Sequence, residues 1–162
     1  MKLAVLYFSV SGRTAACAEA VARGAQKAGA EVCVCDLDHA ADACLDEAQA
    51  VVFGTPTYFA NTCWQVKKWF DESHALSLEG KLGAVFSTAD YAQGGPGIAE
   101  LTVLEHMLVK GMLVYSGGSA LGKPYLHIGA VSLKGHEDEG LALCEALGER
   151  VARKGLELFK KR

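Results

Sequence analysis

Short, nearly unbroken apolar runs punctuate this chain, and each gives way to a stretch whose apolar residues recur at helical spacing. Leu3 to Phe8 reads as a strand buried on both faces. From Ala15 the residues Ala18, Val21, Ala22 and Ala25 form one stripe of a helix that Gly29 ends. Glu31 to Cys35 is the second strand. The pattern fades from Asp36 to Gln49, where a loop and a short helix near Ala43 to Ala48 are expected. Ala50 to Thr55 is the third strand, and a helix from Thr62 to His74 turns Cys63, Val66 and Phe70 inward. Lys81 to Ser87 is the fourth strand. The helix after it takes Leu101, Leu104 and Leu108 as its buried edge and stops at Gly111. Met112 to Tyr115 is the fifth strand, Ser116 to Gly135 reads as irregular, and a last helix from Glu137 to Phe159 faces Leu143, Leu147, Val151 and Leu158 inward.

Strands alternating with helices, joined by crossovers long enough to be right-handed, define an α/β fold. The expected architecture is a doubly wound five-stranded parallel sheet, strand order 2-1-3-4-5, forming a single domain over residues 1–162. Ligands of such sheets sit beyond the carboxyl ends of the strands where the order reverses, here between strands one and three. A chain of 162 residues, 51% hydrophobic and 22% charged, can build a full core without staples. The formal charge of −3 argues against a nucleic-acid partner. Lys160-Lys161-Arg162 reads as a solvated helix end. The opening apolar stretch is too short for a membrane span or signal peptide, which implies a cytoplasmic protein. The six cysteines are expected to be reduced core thiols, and with no C-x-x-C or H-E-x-x-H spacing no metal site is expected.

Ser9-Val10-Ser11-Gly12-Arg13-Thr14 lies between the end of the first strand and the start of the first helix. Free N–H groups, the helix dipole and the hydroxyls of Ser9, Ser11 and Thr14 suit a phosphate there, and Gly12 supplies open backbone. The same hydroxyls would serve as a helix cap, so the turn alone leaves both readings open. G-x-G-x-x-G is absent, which argues against a dinucleotide fingerprint. The turn resembles the flavodoxin phosphate loop, Ser/Thr-x-Ser/Thr-Gly-x-Thr, at Ser9, Ser11, Gly12 and Thr14. That resemblance implies FMN as cofactor. Two further loops open on the same crevice: Pro56-Thr57-Tyr58-Phe59-Ala60-Asn61, and Ser87-Thr88-Ala89-Asp90-Tyr91 running on to Gly94, Gly95 and Gly97. Tyr58 or Phe59 and Tyr91 can stack on a planar ring, while backbone N–H groups of Thr57 to Ala60 and Ala89 to Gly95 can meet its heteroatoms. The expected cofactor residues are therefore Ser9 to Thr14, Pro56, Thr57, Tyr58, Phe59, Ser87, Thr88, Ala89, Tyr91 and Gly94.

Gly54-Thr55-Pro56-Thr57-Tyr58-Phe59-Ala60-Asn61 is similar to the G-T-P-T-x-F-G-N segment of the tryptophan-repressor-binding-protein (WrbA) group of flavodoxin-like NAD(P)H:quinone oxidoreductases. Val85-Phe86-Ser87-Thr88 with Gly94-Gly95 resembles that group's next flavin loop. The resemblance implies an oxidoreductase that moves hydride or electrons from NAD(P)H to a quinone or similar small acceptor, as a homo-oligomer. No catalytic side chain is needed, because the flavin carries the redox chemistry. The alternative is a flavodoxin proper, carrying electrons between proteins. The chain departs from the WrbA pattern at Tyr58, where that group has Arg, and at Val109-Lys110-Gly111, where it has His-His-Gly. Tyr125 and His127 are candidates for an acceptor pocket, and Trp64 or Trp69 for an interface or the core. Gly117 to Lys123 fits G-x-x-x-x-G-K, but Pro124 follows where a Ser or Thr belongs, which excludes a P-loop.

Overall fold

The computed structural model describes residues 1–39 and 42–160; Lys161 and Arg162 of the basic tail lie outside them. In chain order the elements are β1 (Lys2–Tyr7), α1 (Arg13–Lys27), β2 (Glu31–Asp36), α2 (Asp42–Glu47), β3 (Ala50–Tyr58), β4 (Asn61–Thr62), α3 (Trp64–Glu72), β5 (Leu82–Ala89), α4 (Pro96–Val109), β6 (Leu113–Val114), β7 (Ala130–Leu133) and α5 (Glu137–Leu158). The parallel order β2-β1-β3-β5-β6 reproduces the expected arrangement of the main strands. The fifth place in it is shared. β6 pairs with the start of β5, Leu82 opposite Leu113, and β7 pairs with its end, from Phe86 opposite Ala130 to Ala89 opposite Leu133. The stretch expected to be irregular thus contains a strand. Its four residues bury only Ala130 and Ser132, too short an alternation to stand out from the loop before it.

β1 shows why the apolar runs are strands. Leu3 and Val5 enter one core, while Ala4 and Leu6 enter the other. The first core is closed by α1 and α5 through Val21, Leu147 and Val151. The second is closed by α2, α3 and α4 through Leu45, Val66, Phe70 and Met107. Trp69 packs on the second core, tilted against Phe53 and edge-on to Phe70, whereas Trp64 is exposed. The helices α1 and α5 meet backbone to backbone: a Cβ on Gly24 would lie 1.9 Å from the Glu145 carbonyl oxygen, and one on Gly148 2.0 Å from that of Val21.

Two helix faces differ from expectation. On α4 the buried stripe is Ala99, Glu100, Val103 and Met107, while Leu101 and Leu108 face solvent and Leu104 is half-buried. Gly83 explains the register, because its missing side chain makes room for the Met107 sulfur, 2.8 Å from where a Cβ would stand. On α5 Leu147 and Val151 are buried and Leu143 packs at the core edge, but Leu158 in the last turn is exposed. The cysteines also differ. Cys17, Cys63 and Cys144 are buried free thiols, yet Cys33 and Cys44 form a disulfide between β2 and α2. Nothing in their sequence separation of 11 residues marks them as a bridge.

Glu100 is the outlier of this core. It is only 2% exposed, and Ser87 Oγ donates to its Oε1 at 3.0 Å. Burial pushes its carboxyl from an ordinary 4.5 to about 7. Between those pH values the folded chain keeps a proton that the unfolded chain has lost. Stability therefore falls as pH rises through that window and levels off above it. Replacing Glu100 by Gln is expected to remove this slope, so that in urea denaturation the variant gains roughly 2–3 kcal/mol on the parent between pH 4.5 and pH 8. Parallel pH profiles for the two proteins would contradict it.

Candidate functional site

The first turn of α1 begins at Gly12, whose φ of +86° is open to glycine and strained for other residues. No side chain caps this helix, and its first turn carries no acidic residue. Ser9 Oγ instead accepts from the Gly12 N–H at 3.1 Å, shaping the loop ahead of the helix. Of the two readings of this turn, the side-chain cap is therefore not the arrangement formed. The leading N–H groups are left for an external acceptor. Thr14 has a partner within the chain: its hydroxyl is buried, 2.9 Å from that of Thr88, and so joins the first loop to the third. Arg13 ties the same two loops, with Nη1 donating to the Ala89 carbonyl at 3.3 Å and Nη2 ion-paired with Asp90. Lys134 Nζ also approaches Asp90 at 3.5 Å. The Arg13 guanidinium holds the Asp90 carboxyl below its usual range, with Lys134 adding to the effect.

The second loop is a hairpin. β3 runs three residues beyond its expected end, and Thr57 and Tyr58 pair with Thr62 and Asn61 of β4. Phe59 and Ala60 turn the chain with φ of +48° and +61°, the left-handed conformation that two-residue hairpins normally give to Asn-Gly. A bulky residue there costs on the order of 1–3 kcal/mol, so its surroundings must hold it. Gly95, at the start of α4, does so. It has φ of +89°, and a Cβ on it would stand 2.7 Å from Ala60 Cα. The turn leaves the Phe59 side chain wholly exposed. Just before it, Thr57 Oγ1 is buried without any hydrogen-bond partner.

These loops enclose one cavity of about 720 Å3 at the carboxyl ends of β1, β3 and β5. Val10, Ser11, Arg13 and Thr14 line it from the first loop, Pro56 to Ala60 from the second, and Thr88, Ala89, Asp90, Tyr91, Gln93 and Gly94 from the third. All the expected cofactor residues but Ser9, Gly12 and Ser87 are thus brought together here. Ser9 and Gly12 belong to the first loop and shape it through their own hydrogen bond, but do not line the cavity. Ser87 is fully buried, its hydroxyl donating to Glu100 of α4, while its strand neighbour Thr88, whose side chain projects to the opposite face, reaches the cavity. Ala60, Asp90 and Gln93 are expected there only for their backbone N–H groups; the pairing of the Asp90 carboxylate with Arg13 has no pointer in the sequence beyond their opposite charges. Tyr125 and His127 do not line the cavity. Arg150 binds the Gly118, Gly122 and Pro124 carbonyls, so the Gly117 to Lys123 stretch is a braced loop.

An uncapped helix start, aromatic side chains and an orphaned hydroxyl surround one cleft at the switch point, features that suit a planar ligand with an anionic tail. The comparisons with known proteins agree. Residues 5–96 match the flavodoxin family model, and the chain belongs to that family. A flavodoxin of Clostridium saccharobutylicum is 47% identical over 98% of this chain and 100% of its own length. An NAD(P)H dehydrogenase (quinone) of Geotalea uraniireducens is 33% identical over 77% of this chain and 73% of its own. The crystal structure of a WrbA-like flavodoxin from Agrobacterium tumefaciens superposes with a TM-score of 0.79 at 28% identity, covering 96% of this chain and 98% of that one. The protein is an FMN-binding member of the oxidoreductase and electron-transfer flavoproteins. The site fits that cofactor: the free N–H groups suit its phosphate, and the unpartnered Thr57 hydroxyl is a polar atom awaiting a ligand. Gly95→Ala is expected to loosen the Phe59-Ala60 turn and lower stability by about 1–3 kcal/mol in chemical denaturation. An unchanged midpoint would show that the hairpin does not lean on α4.

Proposed function

We propose that this chain is a flavodoxin-type electron carrier, taking electrons from one redox protein and delivering them to another. The observation that carries this reading is the 47% identity to a flavodoxin along that protein's entire length, against 29–33% identity over 77–93% of this chain for the quinone dehydrogenases. FMN, when bound, supplies the one- and two-electron redox chemistry. The chain holds and shields it. The leading N–H groups of α1 and the hydroxyls around Ser11 would take the phosphate, and Thr57 Oγ1 would donate to the ligand. Tyr58, Phe59 and Tyr91 would flank the ring. Asp90 stays ionised beside Arg13 and Lys134, which keeps the third loop closed against the first without placing an unpaired charge at the cleft. Exposed Val10, Phe59 and Tyr91 around the opening suit an apolar contact with a protein partner.

A second reading keeps the WrbA activity: hydride from NAD(P)H to a small quinone, in a homo-oligomer. The relatives named NAD(P)H dehydrogenase (quinone) favour it. Either activity would be at home in the cytoplasm, and among the described residues no helix is long and apolar enough to cross a membrane. The two readings part in one assay. The flavin-loaded protein is expected to reduce benzoquinone with NADPH no faster than free FMN does, yet to relay electrons from an added flavoprotein reductase to cytochrome c. Direct, rapid NADPH oxidation on adding benzoquinone would select the second reading. Thr57→Val tests the site itself. It is expected to weaken FMN binding about tenfold in a fluorescence-quenching titration while leaving the flavin-free protein as stable or slightly more so, since a buried hydroxyl without a partner is removed. Unaltered FMN affinity would take Thr57 out of the site.

A further inference from the structure

The Cys33–Cys44 disulfide has a third sulfur beside it. Cys35 Sγ lies 3.4 Å from Cys33 Sγ, and among the described residues Cys33, Cys35 and Cys44 are the one group of ligating side chains whose donor atoms all fall within 4.8 Å of each other. Cys33 and Cys35 are two apart on β2 and so project from the same face of this edge strand. Cys44 reaches them from α2. We propose that these three thiols form a binding site for a soft closed-shell cation of the zinc, cadmium or copper(I) type, and that the disulfide is the metal-free, oxidised state of that site.

The donor chemistry is sulfur alone, which selects thiophilic ions and disfavours magnesium or calcium. Metal–sulfur bonds of about 2.3 Å place thiolates roughly 4 Å apart, a spacing these sulfurs reach once the one S–S bond opens. Both supporting elements are held independently of that bond. β2 is laddered to β1 along its length. α2 buries Leu45 in the second core, and Lys81 Nζ donates to the Leu45, Asp46 and Ala48 carbonyls at 2.9, 3.0 and 2.6 Å. The sulfurs therefore stay gathered after reduction. All three cysteines are half-buried, and a cavity of about 230 Å3 bordered by Cys33, Cys44 and Glu47 gives an ion a way in and leaves room for a water as a further ligand. That cavity shares no residue with the FMN cleft, so the proposal does not depend on the flavin reading. The chemistry balances with a dithiol as reductant: it gives two electrons and two protons to the disulfide and itself becomes a disulfide. The cation then displaces the protons of the three thiols.

The test uses the whole protein, reduced with dithiothreitol, desalted without oxygen and titrated with Cd2+. The expected result is one Cd2+ per chain with thiolate-to-cadmium absorption, a 113Cd resonance in the sulfur-ligated range and a melting temperature that rises with Cd2+. Cys35→Ser is expected to lower the affinity at least about 100-fold, beyond the 10–100-fold that losing a mere supporting contact produces. Cys63→Ser should leave the affinity unchanged, and the oxidised protein should bind no Cd2+ in this way. Cys44→Ser, which cannot form the disulfide, provides a second ligand deletion should Cys35→Ser fail to give a native circular dichroism spectrum. Equal Cd2+ affinity in the reduced parent and either ligand variant would overturn the proposal, as would tight binding by the oxidised protein.

Discussion

The start of α1 has donors and no acceptor of its own. A helix that begins at glycine, without a capping side chain and without an acid in its first turn, concentrates partial positive charge at one point. Much of the surrounding structure fixes where that point lies. Gly24 and Gly148 let α1 and α5 touch along their backbones, which leaves α1 little freedom to slide or rotate over the sheet. Thr14 and Arg13, in the same first turn, then fasten the third loop across the gap. An anion bound here meets a preset field and needs no rearrangement of the helix.

Behind the cleft, several unfavourable elements sit close together. The Phe59-Ala60 turn runs through left-handed backbone, Thr57 carries an unmet hydroxyl, and Glu100 keeps a carboxyl in the core under the third loop. Each would be destabilising alone. They are tolerated because the strands beneath them, β3 and β5, are buried on both faces and rigidly paired over seven positions from Ala50 opposite Leu82 to Pro56 opposite Thr88. Stability is concentrated in the sheet, and strain at its carboxyl edge.

The parts legible in the sequence were those governed by burial on both faces. β1, β3 and β5 are buried on both faces because α-helices cover each side, which marked them as central strands; the strand order came from the doubly wound fold class that the strand–helix alternation implied. The three loops were legible because hydroxyls and glycines cluster at the ends of those strands. What stayed hidden depends on a neighbour distant in the chain. The inward face of α4 is set by the space over Gly83, not by its leucines. The Thr14 hydroxyl looked available for a ligand until Thr88 was brought beside it, and Ser87 looked like a loop residue until Glu100 claimed it. The pairing of Cys33 with Cys44 required knowing that a short helix folds back onto the edge strand.

The divided fifth place in the sheet has its own consequence. Because β6 and β7 hydrogen-bond to opposite ends of β5, the residues linking them leave the sheet at one height and rejoin it at another without lining the cleft. That excursion is anchored from below by Arg150 and carries an outward Leu121 and Tyr125. As a surface loop set apart from the cleft, it can change in sequence or length without moving the residues that line the cavity.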